Sequence, residues 1–258
     1  MTSRAGGGVT AHVRPDQRYA WCGPSLLVTT LRGECDETEP SSGYYFRETR
    51  YRRTLRLRVN GTAPWPCAEG VSSHDAVSVV GVYPELTRFG GGGTDVSDDV
   101  TRSDRFGGAR RAIDVRLQHR LQPHVLRSTA TLANRSAARV RLEPEWEVDA
   151  DFADLQEAFS GERQQSAPVE VTSQPGGLTL QYRHAQLPLT TEVRADGADW
   201  RARDGRLGAT VELGPPTRSR RGTRAGSPSW CTPCWDCSRR RRSRSSPSIR
   251  CSPPGCPR

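Results

Sequence analysis

Residues 54–59 read TLRLRV, and this short stretch decides the fold class. Its apolar side chains, at positions 55, 57 and 59, alternate with arginines at positions 56 and 58. A period of two is expected of a β-strand that has one buried face and one solvated face. The same alternation returns at residues 113–117 and 139–146. The pattern therefore predicts strands rather than helices.

Ten segments between Trp21 and Leu213 carry strand patterns, with Gly, Pro and Asp between them. They are residues 25–31, 54–59, 76–83, 113–121, 125–132, 140–148, 169–172, 178–182, 190–193 and 209–213. Pro144 predicts an edge or a bulge in the sixth. One helical turn is predicted at 151–159, with Asp151 as N-cap and Asp154 at N3. We therefore predict an all-β, antiparallel β-sandwich.

The chain divides sharply after Gly214. Residues 215–258 contain eleven arginines and one acidic residue, Asp236, a net charge of +10, while residues 1–214 are nearly neutral. This tail contains no Leu, Val, Phe, Tyr or Met, so it cannot bury a core, and we predict that it is disordered. Because all 38 basic residues of the chain are Arg, the Arg, Pro, Ser and Cys of the tail also match GC-rich DNA read in a wrong frame.

Three regions follow from this division: a flexible N-terminus at 1–20, one β-sandwich domain at 21–214, and the basic tail at 215–258, interpreted as a frameshift product. No apolar run reaches the roughly 18 residues needed to cross a bilayer, and no signal-peptide pattern precedes the domain. The sparse cysteines of the domain, Cys22, Cys35 and Cys67, are typical of a reducing compartment. We expect a cytoplasmic protein that does not contact membranes.

The densest acidic cluster lies where a strand runs into the predicted helix. Four of its carboxylates are candidates for a function: Asp149, Asp151, Asp154 and Glu157. Such a cluster can act as acid and base, bind a cation, or cap a helix and form a solvated rim. Spacing alone favours the cap and rim.

A second cluster interleaves aromatic side chains with arginines. Its candidate residues are Tyr44, Tyr45, Arg47, Glu48 and Arg50. Aromatic faces beside guanidinium groups suit sugar rings, whose apolar faces stack while their hydroxyls need hydrogen bonds. The alternative is a strand in which the aromatic rings pack inward and the arginines pair with acids.

No other pattern indicates catalysis or a cofactor. The five histidines are scattered, without ligand spacing or a partnered nucleophile, and no phosphate-binding loop is present. The tail contains Cys231-Thr-Pro-Cys234, which has zinc-ligand spacing, and a run of arginines at 239–242 that resembles a nucleic-acid patch. Both lie in a segment of abnormal composition, so we expect no metal, no cofactor and no nucleic acid.

The two clusters together resemble one known family. Residues 44–57, YYFRETRYRRTLRL, are similar to a segment that precedes a strand and an Asn-Gly turn in bacterial glycogen-debranching, amylo-α-1,6-glucosidase-like proteins. Residues 149–161, DADFADLQEAFSG, are similar to the DADFADLFEVRG segment of that family. The resemblance covers residues 21–213. The sequence departs from the family pattern at Glu48, Arg52, Arg53 and Gln156.

The resemblance implies an N-terminal β-sandwich of the super-sandwich kind, followed in full-length relatives by a helical (α/α)6 barrel that holds the glycosidase carboxylates. It therefore implies that the nine candidate residues line a substrate cleft or a domain junction, and that this chain alone is no hydrolase. An α-glucan and the barrel are the expected partners. Two alternatives remain: a stand-alone glucan-binding module using Tyr44, Tyr45 and Arg47, and a nucleic-acid-binding or partner-binding protein that acts through its tail.

Overall fold

A computed structural model describes residues 14–83 and 112–216, together with the short segments 224–225 and 229–231. Within these residues one helix, α1, spans Leu155–Ser160. The strands are β1 Gln17–Cys22, β2 Ser25–Thr30, β3 Gly43–Phe46, β4 Thr49–Arg52, β5 Thr54–Val59, β6 Trp65–Ser73, β7 Ala76–Tyr83, β8 Ile113–Gln122, β9 Val125–Asn134, β10 Val140–Leu142, β11 Pro144–Asp149, β12 Val169–Gln174, β13 Gly177–Tyr182, β14 Thr190–Arg194, β15 Arg201–Arg203, β16 Arg206–Gly208, β17 Val211–Leu213, β18 Arg224–Ala225 and β19 Ser229–Cys231.

These strands form four antiparallel sheets. The largest has the order β12-β13-β14-β19-β9-β8-β7-β6, with β18 also paired to β9. Two four-stranded sheets have the orders β1-β2-β3-β4 and β15-β16-β11-β5, and β10 pairs with β17. Neighbours in sequence are mostly neighbours in space, as short hairpin connections require.

The sheets pack around one large core, and a second, smaller buried cluster lies beside it. The β1–β4 sheet contacts β6, β7 and β8 of the largest sheet. A single buried cluster draws members from every sheet, among them Leu27, Leu132, Leu142 and Trp146, all without solvent exposure. The all-β sandwich predicted from the alternation is therefore confirmed, because the buried faces of the sheets meet in a shared apolar interior.

Strand β5 has the burial pattern that its sequence predicts. In β5 the side chains of Leu55, Leu57 and Val59 are buried, while those of Arg56 and Arg58 reach towards solvent. Residues 140–148 divide into β10 and β11. Pro144 is the first residue of β11, a position where its missing N–H costs no ladder bond.

Several strands lack the alternation that sequence analysis relies on. The short strands β3, β4, β15 and β16 and the polar strands β1 and β6 are absent from the ten predicted segments. Strand β1 begins at Gln17 and pairs with β2, so residues 17–20 of the predicted flexible N-terminus belong to the sheet. Within the predicted disordered tail, the backbone of β18 and β19 joins the largest sheet. Apart from residues 215–216, 224–225 and 229–231, the tail lies outside the described residues.

His119 on β8 connects the largest sheet to the loop that follows β2, from inside the core. It is 1% exposed, and its Nε2 donates to the carbonyl oxygen of Gly33 at 2.7 Å. Its Nδ1 then accepts from the hydroxyl of Ser128, also at 2.7 Å. Burial lowers the pKa of His119 to about 4, although the bond to Gly33 opposes this shift. The imidazole is therefore neutral in the folded protein near pH 7.

We predict that the free energy of unfolding falls as the pH drops from about 6.5 to about 4. The unfolded chain protonates His119 below its ordinary pKa, whereas the folded protein resists protonation until about pH 4. The stabilisation that comes from keeping His119 neutral is complete above pH 6.5. Its loss between pH 6.5 and pH 4 lowers the free energy of unfolding by about 3 kcal/mol. Urea unfolding at a series of pH values measures it.

The variants His119→Asn and His74→Asn separate this histidine from other titrating groups. His119→Asn is expected to be less stable at pH 7 but to lose less stability on acidification. His74 is exposed, so His74→Asn should keep the slope of the unaltered chain. An unchanged slope in His119→Asn would contradict the assignment.

Candidate functional site

The acidic segment at residues 149–154 runs beside the free edge of β4. The backbone N–H of Arg50 donates to the carbonyl of Ala153 at 2.7 Å, and that of Arg53 donates to the carbonyl of Asp149 at 3.0 Å. A bridge between Thr49 and Asp154 lies between the same two segments. The two clusters that the sequence analysis selected are therefore brought together, about 100 residues apart in the chain.

Arg50 and Asp151 form the centre of this contact. The Nε of Arg50 donates to Oδ1 of Asp151 at 3.0 Å, and its Nη2 donates to Oδ2 at 2.5 Å. The side chains are 8% and 17% exposed. Burial opposes the charge on Arg50, but the hydrogen bonds and attraction of Asp151 raise its pKa. Its remaining nitrogen, Nη1, donates to the carbonyls of Pro40 and Ser42.

Gly43 makes room for Arg50. Its φ is +153°, and an added Cβ would lie 2.5 Å from Cδ of Arg50 and 2.6 Å from the carbonyl oxygen of Arg52. A side chain at this position would displace the arginine from its carboxylate partner. The ion pair therefore depends on the absence of a side chain at Gly43.

Helix α1 begins with a reciprocal cap. The side chain of Asp154 accepts from the N–H of Glu157 at 2.8 Å, and Glu157 in turn accepts from the N–H of Asp154 at 3.1 Å. This corrects the sequence prediction: the N-cap is Asp154 and N3 is Glu157, whereas Asp151 lies before the helix. The Asp-x-x-Glu spacing of residues 154–157 was the available signal.

Glu157 also holds the chain beyond the helix. Its side chain has no exposure and accepts from the backbone N–H groups of Gln164 and Gln165 at 2.8 and 3.0 Å. Burial opposes its ionised form, but these backbone bonds outweigh burial and lower the pKa of the carboxyl group. Arg163 lies 3.6 Å from Glu157 and 3.3 Å from Asp151, and so links the two carboxylates.

A cleft of about 410 Å³ opens over this cluster. Its walls include the predicted residues Arg50, Asp149, Asp151 and Glu157. Burial raises the pKa of Asp149, although the N–H of Ala150 and the charge of Arg53 oppose the shift. The cleft also contains Glu37, Arg53 and Arg163, which were not among the predicted site residues. Sequence spacing gives no signal for them, because they approach from separate loops.

The other predicted residues lie away from the cleft. Tyr44 and Tyr45 are each 1% exposed, so both rings are core residues and present no face for a sugar to stack on. This follows the alternative in which the aromatic rings of the strand pack inward. The hydroxyl of Tyr45 donates to the carbonyl of Ser41 at 3.0 Å, and burial raises its pKa to about 12. Arg47 and Glu48 are exposed at the turn between β3 and β4.

No group of three or more His, Cys, Asp or Glu side chains has the geometry of a metal site in the described part of the chain. Cys22, Cys35 and Cys67 are free thiols, and burial raises the pKa of Cys35 to about 12. No helix among the described residues is long and apolar enough to cross a membrane. The zinc-like spacing that starts at Cys231 and the arginine run at 239–242 lie beyond the described side chains.

The antiparallel sheets, the shared core and the charged cleft define an all-β sandwich domain. The family can be stated more closely. The model of the N-terminal domain found in some glycogen debranching enzymes matches residues 22–222, and the chain belongs to this family. The resemblance drawn from residues 44–57 and 149–161 is confirmed.

Two solved structures illustrate the structural neighbours. A protein from Synechocystis sp. PCC 6803 aligns with a TM-score of 0.42 and 9% identity over 89% of this chain and 97% of its own. A galactose mutarotase related enzyme from Lactobacillus acidophilus aligns with a TM-score of 0.39 and 7% identity over 84% and 97%. No curated protein sequence matches the chain.

We predict that Asp151→Asn lowers the free energy of unfolding by about 3 kcal/mol, because it leaves the guanidinium of Arg50 buried without its countercharge. Equilibrium unfolding in urea measures the change. The matched control is Glu170→Gln, which breaks an ion pair to Arg183 whose two side chains are half exposed. That variant should change stability by less than about 1 kcal/mol. Equal effects of the two substitutions would contradict a structural role for Asp151.

Proposed function

We propose that this domain is the non-catalytic N-terminal module of a glycogen-debranching protein and that it docks against a helical (α/α)6 barrel through the cleft over Asp151. The proposal extends the family membership to a role in carbohydrate metabolism. The main support for the proposal is that Arg50 binds both carboxylate oxygens of Asp151. The free thiols of Cys22, Cys35 and Cys67 fit a reducing compartment, so the proposal includes the cytoplasm.

Glycoside hydrolysis sets a chemical requirement that the acidic cluster meets poorly. It needs one protonated carboxyl group and a second, ionised one that can attack or activate water. Both carboxylate oxygens of Asp151 are occupied by Arg50. The carboxylate of Glu157 has no solvent exposure and binds backbone N–H groups. The pKa of Asp149 is raised, as a general acid requires. Asp151 and Glu157, however, are occupied by structural contacts.

The same arrangement suits a contact between this domain and a second domain. The ion pair and the helix cap fix the floor of the cleft, while Glu37, Arg53 and Arg163 give its rim charges of both signs. A rigid floor with a mixed-charge rim favours a specific protein contact, because opposite charges on the partner set its orientation. The predicted residues Asp149, Asp151, Asp154 and Glu157 then support the junction from below.

The first test is chemical. The purified chain, incubated with a branched limit dextrin, is expected to release no glucose above the background of its Asp149→Asn variant. Glucose release by the unaltered chain that Asp149→Asn or Asp151→Asn abolishes would overturn the non-catalytic assignment.

The second test concerns the barrel. The chain is expected to bind a separately expressed (α/α)6 barrel of a glycogen debranching enzyme, measured by calorimetry. Reversing a rim charge with Arg53→Glu should weaken that binding by about tenfold or more, since like charges across an interface repel. The control Arg203→Glu reverses an arginine that is 90% exposed on β15 and should leave binding unchanged. Equal binding by both variants would place the contact elsewhere.

A further inference from the structure

Strand β12 forms one edge of the largest sheet. It pairs with β13 on one side, and no other strand of the described residues pairs with it on its second side. Its six residues, VEVTSQ, are exposed from Glu170 to Gln174, and only Val169 is partly buried. An edge strand presents a row of backbone N–H and C=O groups to which another strand can bind. Strand β12 therefore offers backbone hydrogen bonds that its own sheet does not use.

The ladder between β12 and β13 shows which backbone groups face outward. The N–H of Arg183 donates to the carbonyl of Pro168 at 2.9 Å, one step beyond the first pair of this ladder. In an antiparallel ladder, pairs that exchange hydrogen bonds alternate with pairs that do not. The even-numbered residues of β12 therefore bond to β13. The backbone groups of Val169, Val171 and Ser173 point to the free edge.

Other sheet edges carry features that oppose pairing, and β12 does not. Strand β6, at the opposite edge of the same sheet, contains Pro66, and its ladder with β7 shifts register twice. Strand β15 has three residues, of which Arg201 and Arg203 are exposed. Prolines, bulges, charges and short length all protect an edge. The ladder of β12 runs over six residues without a shift, and its one charged side chain, Glu170, pairs with Arg183.

A second copy of β12 fits this edge in an antiparallel arrangement centred on Val171. Only outward-facing groups can bond across the edge, so Val171 pairs with Val171 of the second copy, and Val169 pairs with Ser173 of the second copy. Glu170 then lies opposite Thr172 of the second copy, so no two like charges are directly opposite each other. A two-fold axis at Val171 thus uses the outward groups of both copies, as an isologous dimer requires.

The side chains favour the same centre. Val169, Val171 and Ser173 lie on the same face of the sheet as the buried residues of β13, because residues paired across a ladder project to one face. Val171 is 39% exposed, one of the large hydrophobic side chains that the described structure leaves in contact with water. Across the two-fold axis the two Val171 side chains contact each other and are removed from water.

We propose that the chain forms a two-fold dimer in which β12 pairs with β12 of a second copy. Two strands of six residues bury less surface than a standard interface of about 1,600 Å², so the dimer is reversible, with a dissociation constant in the micromolar range. The inference does not rest on the proposed function. Val169 also lines the cleft over Asp151, so the variants that test the dimer leave Val169 unchanged.

The test is sedimentation velocity of the full chain over a concentration series, with a reductant that keeps its thiols free. The unaltered chain is expected to shift from monomer to dimer as its concentration rises. Val171→Pro removes the N–H at the two-fold axis, which does not bond to β13, and should weaken the dimer about tenfold or more. The matched control, Val171→Thr, keeps the N–H and the branched side chain, and should weaken it about threefold or less.

Hydrogen exchange measured by NMR on the unaltered chain tests the register without a substitution. The amide of Val171 should be protected in the dimer and exchange rapidly on dilution, whereas that of Thr172, which bonds to β13, should stay protected in both states. Unfolding in urea shows whether each variant is folded.

Three results would overturn the proposal. The first is a chain that stays monomeric up to about 1 mM, including one in which another segment of the same chain covers the edge. The second is a dimer that Val171→Pro and Val171→Thr weaken equally. The third is a dimer in which the Val171 amide exchanges as fast as in the monomer. All three measurements are made without a barrel, so none of them decides the proposed junction.

Discussion

The buried ion pair between Arg50 and Asp151 is the interaction on which the arrangement of the site depends. It joins β4 to the segment before α1, with both oxygens of the carboxylate bound to one guanidinium. Planar, bidentate geometry of this kind fixes orientation as well as distance. Gly43 leaves the space that the arginine needs, and Arg163 adds a second cation 3.3 Å from Oδ2 of Asp151. Without the ion pair, neither the space at Gly43 nor the position of Arg163 would have a structural role.

The β3–β4 hairpin runs from the cleft to an exposed turn. Arg50 and Arg53 face the cleft over Asp151, while Arg47 and Glu48 lie in the turn at the other end of β4. A row of aromatic contacts follows the same path, from Phe152 beside the ion pair through Tyr51 to Phe46. These rings pack the hairpin against the segment before α1.

The sequence predicts those parts that repeat or follow a local rule. The alternation of Leu55 and Leu57 reveals a half-buried strand, and the Asp-x-x-Glu spacing at 154–157 contains the helix cap even though Asp151 was assigned as the cap residue. Burial of Tyr44 and Tyr45 could not be read in the same way, because four-residue strands that are buried on both faces do not alternate. Glu37 and Arg53 join the site only because the fold brings them to a segment about 100 residues further along the chain, and one sequence carries no signal for that.

The proposed role of the charge on Asp151 is to hold Arg50 in place rather than to react. A double-mutant cycle with Arg50→Met, Asp151→Asn and the two combined tests it most directly, with the free energy of unfolding measured for all four proteins. We expect a coupling energy of about 2 kcal/mol or more, because the second substitution costs little once the first has broken the pair. Additive effects, with a coupling energy near zero, would contradict it.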